Sequence, residues 1–169
     1  MIARSEQQPA DAAAANAALI ERFYAAFARR DASDMLACYH PEVTFCDPVF
    51  PALDAQGVAT MWTMLCKRGK DLDVVASDIV ADAATGRAHW IAHYTFSGTG
   101  RRVTNRIDAS FGFRDGLIVR HVDRFSLWRW AAMALGAKGA LLGWLPLVRN
   151  AIRAQAAAAL AAYAKTGGA

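Results

Sequence analysis

The stretch from Gly86 to Trp130 constrains the fold of this chain more than any other. Arg87 to Ser97 alternates in polarity and is rich in β-branched and aromatic residues, while Gly98-Thr99-Gly100 supplies the positive φ that a short hairpin loop needs. Arg114-Asp115-Gly116 does the same before a last strand, so the spacing predicts an antiparallel meander of three strands reaching Trp130. Because side chains alternate along a strand, Val119, His121, Asp123 and Phe125 share one face of the last strand. Ile118, Arg120, Val122 and Arg124 share the other. The arginine-bearing face is expected to meet solvent or a partner. The opposite face carries His121 and Asp123 toward whatever the sheet encloses. A carboxylate there is costly unless it is hydrogen-bonded, paired or working, which leaves a structural pair at the sheet rim and a working site as the two readings.

Upstream, Leu19, Ile20, Phe23, Tyr24 and Phe27 recur at three- and four-residue spacings and predict an amphipathic helix over 16–30, with Asn16 as N-cap. A short helix from Ser33 to Tyr39 follows, stopped by Pro41, and Val43 to Cys46 reads as a strand. Asp47-Pro48-Val49-Phe50-Pro51 is then a loop stiffened by two prolines. It holds the Asp47 carboxylate at the strand end, either as a turn former or as a functional group. Val58, Met61, Trp62 and Leu65 mark a helix over 56–67 that ends at Gly69 and covers the sheet. Asp71 to Ala81 is a strand leading into the meander.

At 169 residues the chain fits one domain with a sizeable core. The first fifteen residues, Ala-rich but interrupted by Arg4, Glu6 and Asp11, read as a flexible tail rather than a secretory signal. Three cysteines without metal or disulfide spacing point to a reducing, cytoplasmic setting. The net charge of +4 comes without a nucleic-acid recognition motif, so nucleic acid is not an expected partner. His89 and His93 fall on a strand about 13 Å apart, too far to share a metal. Residues 131–169 change character to Ala, Leu and Trp. Gly136, Gly139, Gly143, Pro146 and Lys138 break the run, so it predicts helices packed on the sheet or a second subunit and not an integral membrane segment. A basic amphipathic end carrying Arg149 and Arg153 and resting on a membrane is the alternative.

Three local signals occur in order: Glu21-Arg22-Phe23-Tyr24-Ala25-Ala26-Phe27, Val43-Thr44-Phe45-Cys46-Asp47-Pro48, and Phe113-Arg114-Asp115-Gly116-Leu117-Ile118-Val119-Arg120-His121-Val122-Asp123. With the element order, they resemble the nuclear transport factor 2-like superfamily, which includes the ketosteroid isomerase-like proteins, and more narrowly its SnoaL-like polyketide cyclase branch. The resemblance spans about Ala17 to Trp128. It implies an α+β cone over 16–130, in which a strongly curved antiparallel sheet wraps the N-terminal helices around an apolar pocket, with 131–169 as an added helical tail. It also implies a homodimer through the outer sheet face, where Ile118 and Val122 are expected.

Carried over residue by residue, the resemblance puts Asp47 at the base position of the steroid isomerase, and Asp123 with His121 at the late-strand position of the cyclases and epoxide hydrolases. Phe23 occupies the oxyanion-tyrosine position, with Tyr24 one residue off. Ala109 occupies the acid position, and no Arg-x-Asp pair lies between Arg87 and Phe96. Authentic steroid isomerisation and epoxide hydrolysis are both disfavoured. What remains is a pocket holding Asp47, Asp123 and His121, walled by Phe23, Tyr24, Trp62, Trp90, Tyr94 and Phe111, with Asn105 as a hydrogen-bond donor. Two carboxylates and a histidine around an apolar cavity suit cofactor-free acid/base chemistry on a hydrophobic carbonyl or polycyclic molecule. The same groups equally suit a binding or dimerisation module.

Overall fold

The computed structural model describes residues 3–166. Its elements run α1 (Ala3–Ala28), α2 (Ala32–Leu36), β1 (Tyr39–Cys46), α3 (Ala55–Arg68), β2 (Asp73–Ala81), β3 (Thr85–Phe96), β4 (Arg101–Arg114), β5 (Leu117–Arg124), α4 (Leu127–Leu135), α5 (Ala137–Leu142) and α6 (Pro146–Lys165). One five-stranded sheet has the order β1-β5-β4-β3-β2, in which β2 to β5 form the antiparallel meander and β1 returns parallel to β5. Asp115 and Gly116 both have positive φ, the turn geometry whose twist matches that of the strands it joins. The helices α1 and α3 fill the inner face with Ile20, Phe23, Phe27, Met61 and Trp62 against Trp90, Ile107 and Phe111. This is the α+β cone that the resemblance implies.

Several boundaries differ from expectation for identifiable reasons. Helix α1 begins at Ala3, not at Asn16, because alanine is the best helix former and the run 12–15 propagates the helix. Residues 3–15 thus continue the helix. Asn16 is no cap. It is buried in mid-helix, and its Nδ2 donates to the carbonyls of Asp82 (2.9 Å) and Ala83 (3.3 Å) in the β2–β3 turn. Tyr39 opens β1 instead of closing the second helix. Pro41 is accommodated because β1 is an edge strand whose register with β5 is interrupted between Tyr39 and Thr44. In α3, Leu65 is exposed, unlike Val58, Met61 and Trp62.

A bulge at Val119 alters β5 most. Arg120 pairs with Gly112 and Ile118 with Phe113, which leaves Val119 unopposed. The bulge resets the alternation, so Ile118 and His121 both point inward at 0% exposure while Arg120 points out. Ile118 is thus core, not part of an outer apolar face. That face is polar where β3 meets β4: His89 bonds Asp108 and His93 bonds Thr104, each at 2.9 Å.

The last strand stops at Arg124, short of Trp130, because the Ser126 hydroxyl accepts from the Arg129 N–H and caps α4. The C-terminal helices then fold back over the cone. Thr99 Oγ1 donates to the Ala134 carbonyl and Arg101 Nε to that of Met133, tying α4 to the β3–β4 hairpin. Arg153 Nε donates to the Pro48 carbonyl at 2.9 Å, tying α6 to the loop after β1. The guanidinium of Arg68 in α3 lies over the Tyr163 ring of α6.

Candidate functional site

The aromatic residues that line the inner face converge on His121. Phe111 approaches its ring at 4.5 Å between centroids, Phe45 at 5.1 Å and Phe23 at 5.6 Å, while Trp62 stacks on it at 6.1 Å. A ring nitrogen enclosed this way needs a partner, and both have one. The Tyr39 hydroxyl lies 2.6 Å from Nδ1, and Asp123 Oδ1 lies 3.1 Å from Nε2. Trp62 Nε1 donates to the Tyr39 oxygen at 3.0 Å, and Trp90 Nε1 donates to Asp123 Oδ1 at 3.2 Å. Each indole N–H thus enters the chain from one end, and one arrangement of protons satisfies every member.

Asp47 sits at the mouth of this cluster. Its Oδ1 accepts from the N–H of Val49 at 2.7 Å and from that of Phe50, while its own N–H donates to the Phe50 carbonyl at 2.9 Å. The two flanking prolines and these bonds hold the carboxylate in one orientation. Burial pushes its pKa up to about 6, against the pull of the Phe50 and Val49 amides, and the Asp123 charge pushes in the same direction. Asp47, His121 and Asp123 line a single open cleft of about 920 Å³ between the loop 47–54 and β5. His121 and Asp123 are 0% and 4% exposed, whereas Asp47 is partly exposed.

Tyr24 packs on the same cluster. Its ring tilts against Trp90 at 5.8 Å, and its hydroxyl is fully buried with no hydrogen-bond partner among the described residues. Burial, and then the charge of Asp123, raise its pKa well above the usual tyrosine value. The phenol therefore stays protonated.

Phe23, Tyr24, Trp62, Trp90 and Phe111 are thus brought together with His121 and Asp123, as walls packed on the pair. Tyr94 packs on the same core, and burial together with the charge of Asp47 raises its pKa against the pull of the Trp130 bond. Its hydroxyl accepts from Trp130 Nε1 of α4 at 2.7 Å, and Trp130 packs edge-on against Phe96 at 5.2 Å. Asn105 lies on the inward side of β4 between Val103 and Ile107, and no hydrogen bond joins it to the cluster among the described residues. Tyr39 and Trp130 carry much of the site's polar framework and were not among the expected residues. The alternation of Tyr39, Pro41, Val43 and Phe45 was the available signal for the first. For Trp130, the signal was the Ser126 cap.

Comparison with known proteins places this geometry. A solved candidate polyketide cyclase from Xanthomonas campestris pv. campestris is 24% identical, covers 73% of this chain and 98% of its own, and superposes with a TM-score of 0.58. An epoxide hydrolase of M. tuberculosis, described as LEH-like, is 19% identical, with 78% and 97% covered and a TM-score of 0.62. TerC, crystallised with polyporic acid, is 19% identical, with 72% and 98% covered and a TM-score of 0.63. No curated protein sequence matches the chain. Residues 20–121, which run from the first core residue of α1 to His121, match the model of the SnoaL-like domain, and the chain therefore belongs to the SnoaL-like domain family.

Proposed function

We propose that this protein is a cofactor-free acid/base enzyme of the isomerase, cyclase or hydratase type, acting on a hydrophobic carbonyl or polycyclic molecule. Asp47 is the base. The observation that carries this reading is a mostly buried carboxylate with a pKa near 6, fixed by two backbone amides, in the same cleft as a fully satisfied His121–Asp123 pair. Asp123 is the weaker candidate because its Oδ1 is already committed to His121 and Trp90. In the step envisaged, the Asp47 carboxylate takes a proton from the carbon beside a carbonyl, and the C–H electron pair moves to the carbonyl oxygen. Asp47 then returns its proton to the same or a vinylogous carbon. Candidate polyketide cyclases and a protein that holds polyporic acid, both of this fold, support a substrate with oxygenated rings.

A second reading is favoured by the enclosure of His121 and Asp123 beneath packed aromatic rings: a non-catalytic module that sequesters the same kind of ligand. The homodimer expected from the resemblance would in either case use the polar outer face, without Ile118. The free cysteines fit a cytoplasmic setting. The deciding experiment is turnover of enones, β-dicarbonyl polyketide mimics and epoxides, followed by mass spectrometry in wild type and Asp47→Asn. The enzyme reading expects turnover that rises through about pH 6 and falls at least about a hundredfold in the variant. Ligand binding without product would favour the sequestering module, and equal turnover in the two proteins would rule out Asp47 as the base.

A further inference from the structure

We propose that the C-terminal extension docks this protein on the surface of an anionic phospholipid bilayer. The observation is an apolar projection on the outside of α4 to α6. Trp128 is 46% exposed, Leu141 72%, Leu142 47%, Trp144 64% and Leu147 79%, five of the eight large hydrophobic residues the described chain leaves exposed. They form one body. Trp128 Nε1 donates to the Ala140 carbonyl at 3.0 Å, which binds α4 to α5, and Trp144 Nε1 donates to the Leu141 carbonyl at 3.0 Å. Gly139 lets the two helices touch, since a Cβ there would lie 1.9 Å from the Ala131 carbonyl oxygen.

Two features of this projection select its partner. Both indole N–H groups are already spent on backbone carbonyls, so carrying the rings into an acyl layer leaves no donor unpaired. The charged residues of this segment are also of one sign. Residues 126–169 contain Arg129, Lys138, Arg149, Arg153 and Lys165 and no Asp or Glu. Arg129, Lys138 and Arg149 are exposed and alternate along the chain with the apolar residues. Indole and leucine side chains rimmed by cations are the composition of an interfacial anchor, which gains from both acyl contact and anionic headgroups. A second copy of the chain is a poor occupant, because a two-fold contact sets the same patch against itself and brings these cations together with no acid to offset them. The docking is interfacial, for no described helix is long and apolar enough to cross a membrane.

The test is flotation of the full-length protein with vesicles of mixed phosphatidylglycerol and phosphatidylcholine, and with phosphatidylcholine alone. Two variants are compared, Trp144→Ser with Leu147→Ser, and Lys138→Glu with Arg149→Glu. All four sites are exposed, so thermal melting should be unchanged, and size-exclusion chromatography reports the oligomeric state. The expected result is flotation with the anionic vesicles that weakens with salt and falls by about tenfold or more in each variant. The proposal is overturned if the wild type stays unbound at low salt, or if either variant floats as well as the wild type. It is also overturned if the first variant merely converts a dimer to a monomer in a protein that ignores vesicles, which would make a second copy the occupant.

Discussion

The Tyr39 hydroxyl lies 2.6 Å from Nδ1 of His121, and that contact orients the whole buried chain. Trp62 already donates to the Tyr39 oxygen, so the phenol proton points at Nδ1, which leaves the imidazole proton on Nε2, directed at Asp123. In this arrangement the imidazole satisfies both neighbours. Replacing His121 by Leu keeps the volume but leaves the Tyr39 proton without an acceptor and Asp123 with Trp90 alone. The expected cost is about 3 kcal/mol, or roughly 9 °C in melting temperature for a chain of this size. Calorimetry that found His121→Leu as stable as wild type would show that the relay holds nothing together.

Asp47 should make the folded state less stable as the pH rises. Its folded pKa, about 6, lies above the unfolded value near 3.8, so between about pH 4 and 6 the unfolded chain releases a proton that the folded chain retains. Stability from this group is greatest below pH 4 and lost by pH 6, by up to about 3 kcal/mol. Asp47→Asn still accepts from Val49 and Phe50 and cannot ionise. It should therefore melt several degrees higher than wild type at pH 7 and at the same temperature below pH 4. A gap that persisted in acid would rule out ionisation as the cause.

Tyr24→Phe is expected to separate stability from function. The change removes a buried hydroxyl that has no partner, so the variant should gain about 1 kcal/mol in denaturant unfolding. Tyr24 does not line the cleft, so turnover and ligand affinity should be unchanged. A variant less stable than wild type would mean that a partner for the hydroxyl exists in solution.

Gly139→Ala tests how the extension is held. The new methyl would meet the Ala131 carbonyl, and α4 and α5 must then part at a cost of about 1–3 kcal/mol. Because α4 carries Trp130 against Tyr94, hydrogen exchange should quicken in α4 and α5 and spare the β3–β4 ladder. Uniform acceleration across the sheet would show that the extension and the cone open together.

The periodic parts of the sequence determined the architecture. The spacing of Leu19, Ile20, Phe23, Tyr24 and Phe27, the turn chemistry of Gly100 and of Asp115-Gly116, and the Asp-Pro loop are local signals, read by the chain within a few residues. They sufficed to place Asp47, His121 and Asp123 on one side of one sheet. Tertiary structure decided what local signals do not encode. The bulge at Val119 answers the pairing of β5 with β4, and it moves Ile118 from the outer face to the core. Asn16 is drawn from a capping role into a bond with a turn 66 residues away. Tyr39 and Trp130 acquire their places from contacts with distant segments, where a buried polar atom must take whichever partner the packing leaves within reach. Periodicity reports which face a residue occupies. Only the assembled fold determines which donor meets which acceptor there, because that depends on distances between segments far apart in the chain.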